Sequence, residues 1–318
     1  MNAEFHYYAV YYLCKAAGLP EERARTVAIS SQYVDEAVYE IAVDDGRQQY
    51  ITQVTQNYAF WDETVLRDVY LPFHFVPGSA RDASRWAVRP DGALVKELLV
   101  AALRSGDDFR VGLALHAYAD SWAHQNFSGR VEGGNVVDPG SPLPAVGHLQ
   151  ALRAPDDAAG VWDDPRLGLS MSRIVNAERF LLAARKIYRY LRTSLRAGFE
   201  DEELVLEPLG RLWRAGPRDA RERIADYSVE LGVPPYNRRD WLAESGVLVP
   251  PGGEESSGGY DKLRWLGAEL RGRAGLGPKR RVMRASSSFR GSSFHRWNEA
   301  AGEHRAAAHA ILAREGFI

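Results

Sequence analysis

Residues 115–125 read LHAYADSWAHQ and place His116, Asp120 and His124 at four-residue intervals in a run otherwise made of small and aromatic side chains. On an α-helix each four-residue step turns about 400°, so successive positions drift only about 40° around the axis and all three share one stripe. On a strand the same residues would stand about 13 Å apart, too far for a single site. The spacing predicts a helix that presents three good metal ligands on one face. A histidine on an inward helix face is more often a hydrogen-bonded core group, and a His–Asp pair is often a local ion pair. Three ligands in register favour a cation, because burying them without one is costly.

Helix signals extend outward from this stretch. Residues 91–104 and 107–126 read as two helices joined by Ser105-Gly106, and residues 3–17 as a helix closed by Gly18 and Pro20. Residues 21–38 open with Glu21 and Glu22, where the helix dipole favours acids. A long helix is expected over 170–197, with shorter ones over 201–214, 218–231, 238–245, 260–272 and 293–314. Residues 39–76, with an Asp45-Gly46 turn signal and the run QQYITQVTQNY, suit a short β-hairpin or an irregular excursion between helices. The Gly-, Pro- and Asp-rich segment 128–168 is too long for a simple connection, and such loops are usually functional or disordered. PPGGEESSGG (250–259) reads as an exposed mobile loop, and GPKRRVMRASSSFRG (277–291) as a basic link. No internal repeat is evident. The expected fold is mainly α, a single large helical domain: a metal-binding body over 1–235 and a C-terminal helical extension over 236–318 packed on it.

A chain of 318 residues with 45% apolar and 26% charged content has the make-up of a soluble globular protein. Its net charge of −2 gives no electrostatic case for nucleic acid or anionic membrane. Cys14 is the only cysteine, which excludes a disulfide framework and a zinc–thiolate site. A metal here must be held by imidazole and carboxylate, a donor set suited to zinc, manganese or iron. No apolar run reaches the length of a membrane span. The opening MNAEFHYYAV carries Glu4 instead of basic charge, so it reads as a mature helix in a cytoplasmic protein, not a signal peptide. The sequence names neither a substrate nor an oligomeric state beyond the expectation of a small-molecule substrate.

The eight histidines divide into two groups. His295, His304 and His309 lie among Arg, Glu and Ala in the last helix and read as a solvated face. His6, His74, His116, His124 and His148 stand among hydrophobes and aromatics, as does Asp35 in SSQYVDEA. Each alone would be a satisfied core polar group. Together with Asp120 and Asp156 they make a metal cluster the less costly arrangement, and they exceed what one tetrahedral ion can use. Two or three divalent transition-metal ions are expected, zinc first, with iron or manganese as alternatives.

The stretches EFHYYAVYYL, SSQYVD, LHAYADSWAHQNFSG and GH…PDD resemble a bacterial domain family of unassigned function that is similar in turn to the zinc-dependent phospholipase C and single-strand nuclease superfamily. The resemblance spans residues 3–190. It implies an α-helical fold in which a His-x-x-x-Asp helix holds up to three zinc ions that cleave phosphodiesters. By that resemblance Asp120 is a carboxylate shared between metals, and Asp35 and His74 join His116 on one ion. His6 shares a second ion with Asp120, and His124 and His148 belong to a third. The superfamily completes that third site with a carboxylate four residues after the second histidine. Here Leu152 stands at that place, and the next acids are Asp156 and Asp157. The relatives also ligate through the amino group of a processed N-terminal Trp, whereas this chain begins Met1-Asn2-Ala3.

The chemistry expected is metal-assisted hydrolysis of an ester or phosphoester of a small organic molecule, with Asp35 and Asp120 as the catalytic carboxylates. Tyr33, Tyr118, Trp122 and Asn126 are candidate pocket groups. Asn176 and Arg179, in RIVNAERF, are candidates to reach a phosphate or carboxylate. For Tyr118 and Trp122 plain core packing is the competing assignment. Two rival classes remain. One is an iron or manganese enzyme of non-hydrolytic chemistry, which the lack of Glu-x-x-His pairs disfavours for carboxylate-bridged di-iron. The other is a non-catalytic metal-binding scaffold, disfavoured because structural zinc sites are typically closed and Cys-rich.

Overall fold

The helix that carries the opening motif begins where Asp107 caps it: the carboxylate accepts from the backbone N–H of Phe109 at 2.8 Å and of Arg110 at 3.2 Å. This helix, Asp108–Ala123, is buried at every position except Asp108 and Arg110, so it is the central element around which the others are laid. The computed structural model of the chain describes all residues except 47, 82–83, 169, 217–219, 238, 249–280 and 286–287. Within that range the protein is mainly helical, 54% helix against 8% strand. We number the helices α1 (Val10–Ala17), α2 (Glu21–Tyr33), α3 (Glu63–Val65), α4 (Ala93–Ser105), α5 (Asp108–Ala123), α6 (Asn176–Ser194), α7 (Glu202–Arg214), α8 (Ala220–Leu231), α9 (Asp240–Glu244) and α10 (Ser293–Arg314). Helices α2, α4, α6 and α10 pack on α5.

The α2–α5 crossing depends on Gly112. A Cβ at that position would lie 2.4 Å from both the Val27 carbonyl oxygen and the Ser30 Cβ, so only glycine lets the two backbones approach this closely. Two further segments are wound as π-helix, Glu4–Ala9 running into α1 and Leu66–His74 following α3. The Phe75 N–H reaches back five residues to Tyr70 at 2.7 Å, and Val10 likewise to Phe5. Such turns are rare and concentrate at functional sites; here each carries a histidine, His6 and His74.

Several boundaries differ from expectation. Helix α2 stops at Tyr33 instead of continuing to 38, because tight turns over residues 34–37 swing Asp35 out of the helix. Helix α5 stops at Ala123, with Asn126 left-handed at φ +67° and its N–H bonded to Val88. The hairpin around Asp45-Gly46 forms: β1 (Ile41–Asp44) pairs antiparallel with β2 (Gln49–Ile51), Val43 opposite Tyr50. Beyond the hairpin, residues 52–62 run as an irregular excursion without helix or strand, and α3 and the π-helical Leu66–His74 occupy the end of the segment.

The segment over 128–175 contains its own ribbon, β3 (Val161–Asp163) against β4 (Arg173–Val175), so residues 173–175 are strand where helix was expected. The basic link contributes a strand as well. With β5 (Val247–Leu248) and β6 (Arg281–Ala285), the larger sheet runs β2-β1-β6-β5, and β6 pairs parallel to β1. The loop expected at 250–259 and the helix at 260–272 lie outside the described residues. No described helix is long and apolar enough to cross a membrane.

Candidate metal centre

Helix α5, the two π-helical segments, the turn after α2 and the loop around 148–156 converge, and they bring together His6, Asp35, His74, His116, Asp120, His124, His148 and Asp156. His116 and Asp120 project from α5, and His124 caps its C-terminal end. Asp120 is 1% exposed, and its two oxygens face different neighbours. Oδ1 lies 3.1 Å from His6 Nε2, while Oδ2 lies 3.1 Å from His74 Nδ1 and 3.3 Å from His116 Nε2. Asp35 stands 3.7 Å from His116 Nε2 and 4.0 Å from both His74 Nδ1 and His6 Nε2. Asp156 lies 3.2 Å from His124 Nε2 and 3.5 Å from His148 Nε2. Three sets of donor atoms, His6/Asp35/His116, His74/His116/Asp120 and His124/His148/Asp156, each fall within 4.8 Å of one another. His116 has one inward nitrogen, so the first two sets share it.

The proton positions on the rings follow from backbone carbonyls. His116 Nδ1 lies 2.8 Å from the Ser31 oxygen and His74 Nε2 2.8 Å from that of Thr55. His124 Nδ1 lies 3.0 Å from the His74 oxygen and His148 Nδ1 2.9 Å from that of Leu152. A carbonyl only accepts, so each of these nitrogens carries the hydrogen and the other nitrogen of a neutral ring is a bare lone pair. Those four lone pairs all point inward, at carboxylate oxygens and at each other; His116 Nε2 and His74 Nδ1 are 3.2 Å apart. With the rings neutral, acceptor faces acceptor across these contacts. Burial foremost holds His6, His116 and His148 down to about 4, although carboxylates pull the other way; at His74 burial is outweighed by Asp120 and Asp35, which raise it above the ordinary value. Divalent cations could satisfy these groups, and the outward N–H to carbonyl bond is how metal-binding histidines are usually oriented.

Residues that carry no local signal complete the centre. The α-amino group of Met1 is fully buried, pairs with Asp120 and lies 3.3 Å from Asp156. Burial opposes its charge, but Asp120, Asp156 and Asp35 outweigh that and push it up to about 10. The sequence reading set Met1 apart; in space its charged amino group lies beside Asp120 and Asp156, among the candidate ligands, as an ion-pair partner. Tyr58 is raised chiefly by burial and further by the charges of Asp35, Tyr70 and Asp156. Gly147, at φ +49°, lets the chain pass Phe75: a Cβ there would meet the Phe75 ring at 2.6 Å. Phe75 in turn stacks on His124 at 4.8 Å, and His124 on His148 at 4.7 Å. Leu152 holds a left-handed φ of +55°, and it contributes its carbonyl where a carboxylate was anticipated.

The candidate pocket groups scatter. Tyr118 is fully buried and donates to Asp91 at 3.0 Å, and Trp122 is buried in the same core. Tyr33 packs among Trp241, Phe294 and Trp297. Asn126 accepts from Arg89 at 2.5 Å. Asn176 is buried and braces the Asp156 loop, donating to the Ala154 and Asp157 carbonyls at 2.6 and 2.7 Å. Arg179 sits 6.0 Å over Trp162, which lines a cavity of about 220 Å³ with Arg153 and Asp157. The C-terminal histidines are no solvated face. His304 is buried, stacks on Phe73 at 5.3 Å and bonds the Pro72 carbonyl at 3.0 Å; His295 is also buried, and His309 bonds the Arg67 carbonyl. The small residues between them let α10 lie against α5 and the Leu66–His74 segment, turning that face inward.

Comparison with known proteins adds one match, over residues 1–312, to a family of unknown function. The chain belongs to that family, DUF6765. No curated protein and no solved structure matches it. The DUF6765 match extends from the Met1 end of the cluster into α10 and thus covers every candidate ligand described above.

Proposed function

We propose that the chain is a metal-dependent hydrolase with a multinuclear His/Asp centre, acting on an ester or phosphoester of a small organic molecule. The observation that carries this is the set of four histidines whose outward N–H groups are tied to backbone carbonyls while their lone pairs converge on Asp35, Asp120 and Asp156. When bound, divalent ions supply Lewis acidity and lower the pKa of a coordinated water.

Asp120, buried with both oxygens directed to different imidazoles, is suited to be shared between ions. Asp35, Asp156 and His148 are the more open members, at 26%, 22% and 20% side-chain exposure, so a substrate approaches along that edge. There Asp35 would accept a hydrogen bond from a water and orient it toward the substrate. The finer fold reading, a phospholipase C-like arrangement, belongs to this proposal; the helix that carries both His116 and Asp120 supports it. The test is elemental analysis of protein purified without chelator, joined to turnover of bis(p-nitrophenyl) phosphate and p-nitrophenyl esters. We expect at least two transition-metal ions per chain and metal-dependent hydrolysis. Less than about one ion per chain would sink the centre. Visible absorption from oxo-bridged iron without hydrolysis would move the protein to oxygen chemistry.

A further inference from the structure

A buried ionic network joins α8 to the candidate metal centre. Arg223 of α8 is 1% exposed. Its Nε and Nη2 fork onto the fully buried Glu4 carboxylate at 2.9–3.1 Å, and Nη2 also reaches Asp157 at 2.6 Å. Tyr227, one turn along α8, bonds Glu4 at 3.4 Å and accepts from Trp213 at 2.5 Å. Glu4 is two residues before His6 in the π-helical turn, and Asp157 directly follows Asp156. One guanidinium thus clamps the segment carrying Met1 and His6 to the loop carrying Asp156.

Such a cluster is a weak device for stability, since apolar packing of equal volume often does as well. Its distinctive property is geometry: a planar fork fixes both carboxylates in distance and angle, which a point charge cannot. Resting on the metal reading above, we propose that Arg223 is a positioning residue that sets the His124/His148/Asp156 locus against the N-terminal turn, so that its loss weakens that locus selectively.

Two variants test this. Arg223→Lys keeps a cation for Glu4 but cannot span both carboxylates; Asp157→Asn removes charge from a side chain that is 47% exposed, so the fold does not depend on it. Zinc binding is measured by native mass spectrometry and by competition with a chromogenic chelator. Wild type should take up at least two zinc ions. In both variants one equivalent should weaken about 10- to 100-fold, as outer partners of metal ligands typically do, while the remaining zinc and the circular dichroism stay at wild-type values. Undiminished affinity for every equivalent, or equal weakening of all, overturns the positioning role. Wild-type protein that takes up no zinc, cobalt or manganese overturns the metal reading, and this inference with it.

Discussion

Replacing Asp120 by Asn tests the centre through the stability that bound zinc confers. Both oxygens of Asp120 are engaged, Oδ1 toward His6 and the Met1 amino group, Oδ2 toward His74 and His116. An amide gives one of those places to an N–H₂ group and removes the charge, so ions held there would lose a ligand. At free zinc about a hundredfold above Kd, each ion adds about 2.7 kcal/mol to the folded state. An unfolding entropy of about 2.1 cal/mol/K per residue, over 318 residues, gives about 0.67 kcal/mol/K. Each ion therefore raises Tm by about 4 °C, and two by about 8 °C.

The assay is differential scanning fluorimetry of chelated protein with and without zinc. Wild type should show the full increment, and Asp120→Asn less than about half of it. The increment, not Tm itself, is the decisive quantity, because Asp120→Asn also strips a partner from the buried Met1 ammonium. The control is His304→Ala. It deletes the stack on Phe73 and the bond to Pro72, and should cost about 2–4 kcal/mol, lowering Tm by about 3–6 °C. Its zinc increment should nevertheless match wild type. A full increment in Asp120→Asn, or a lost one in His304→Ala, would refute the placement of the centre.

Two further outcomes are expected. Gly112→Ala drives a Cβ against the Val27 carbonyl, so it should cost about 1–3 kcal/mol and weaken zinc binding by parting Asp35 from His116; calorimetry and zinc titration would show both, and an unchanged Tm would contradict the close crossing. Burial, opposed by the Pro72 carbonyl and aided by Arg110, holds His304 down to about 4 from an ordinary 6.5. The unfolded chain therefore binds the extra proton between those values, so this stabilisation is whole above pH 6.5 and lost as pH falls toward 4. Between those limits, Tm of zinc-free protein should fall more steeply for wild type than for His304→Gln, and equal slopes would contradict a buried neutral ring.

What could be read from the sequence and what could not divide along a physical line. The ligands stand out because an ionisable side chain among aromatics is unfavourable anywhere in a fold, so His6 in EFHYYAV, His74 in LPFHFV and Asp35 in SSQYVDEA are conspicuous without knowledge of the backbone. The same rule misjudged His304, whose neighbours in sequence are polar: its apolar surroundings, Phe73 and Pro72, come from more than two hundred residues away. The strand β6 was hidden for the same reason, since it is made by pairing with β1 across most of the chain. The π-helical turns left no mark because their i−5 hydrogen bonds use backbone groups that every sequence possesses. That last point bears on function most directly. Side chains name the metal-binding chemistry, but the ring tautomers that aim four lone pairs inward are set by the carbonyls of Ser31, Thr55, His74 and Leu152. Leu152 marks the limit: its side chain, 63% exposed, argued against a ligand-bearing turn, while its left-handed backbone directs the carbonyl that orients His148. A position judged by its side chain alone looks like a break in the site; judged by its backbone, it is part of the site's construction.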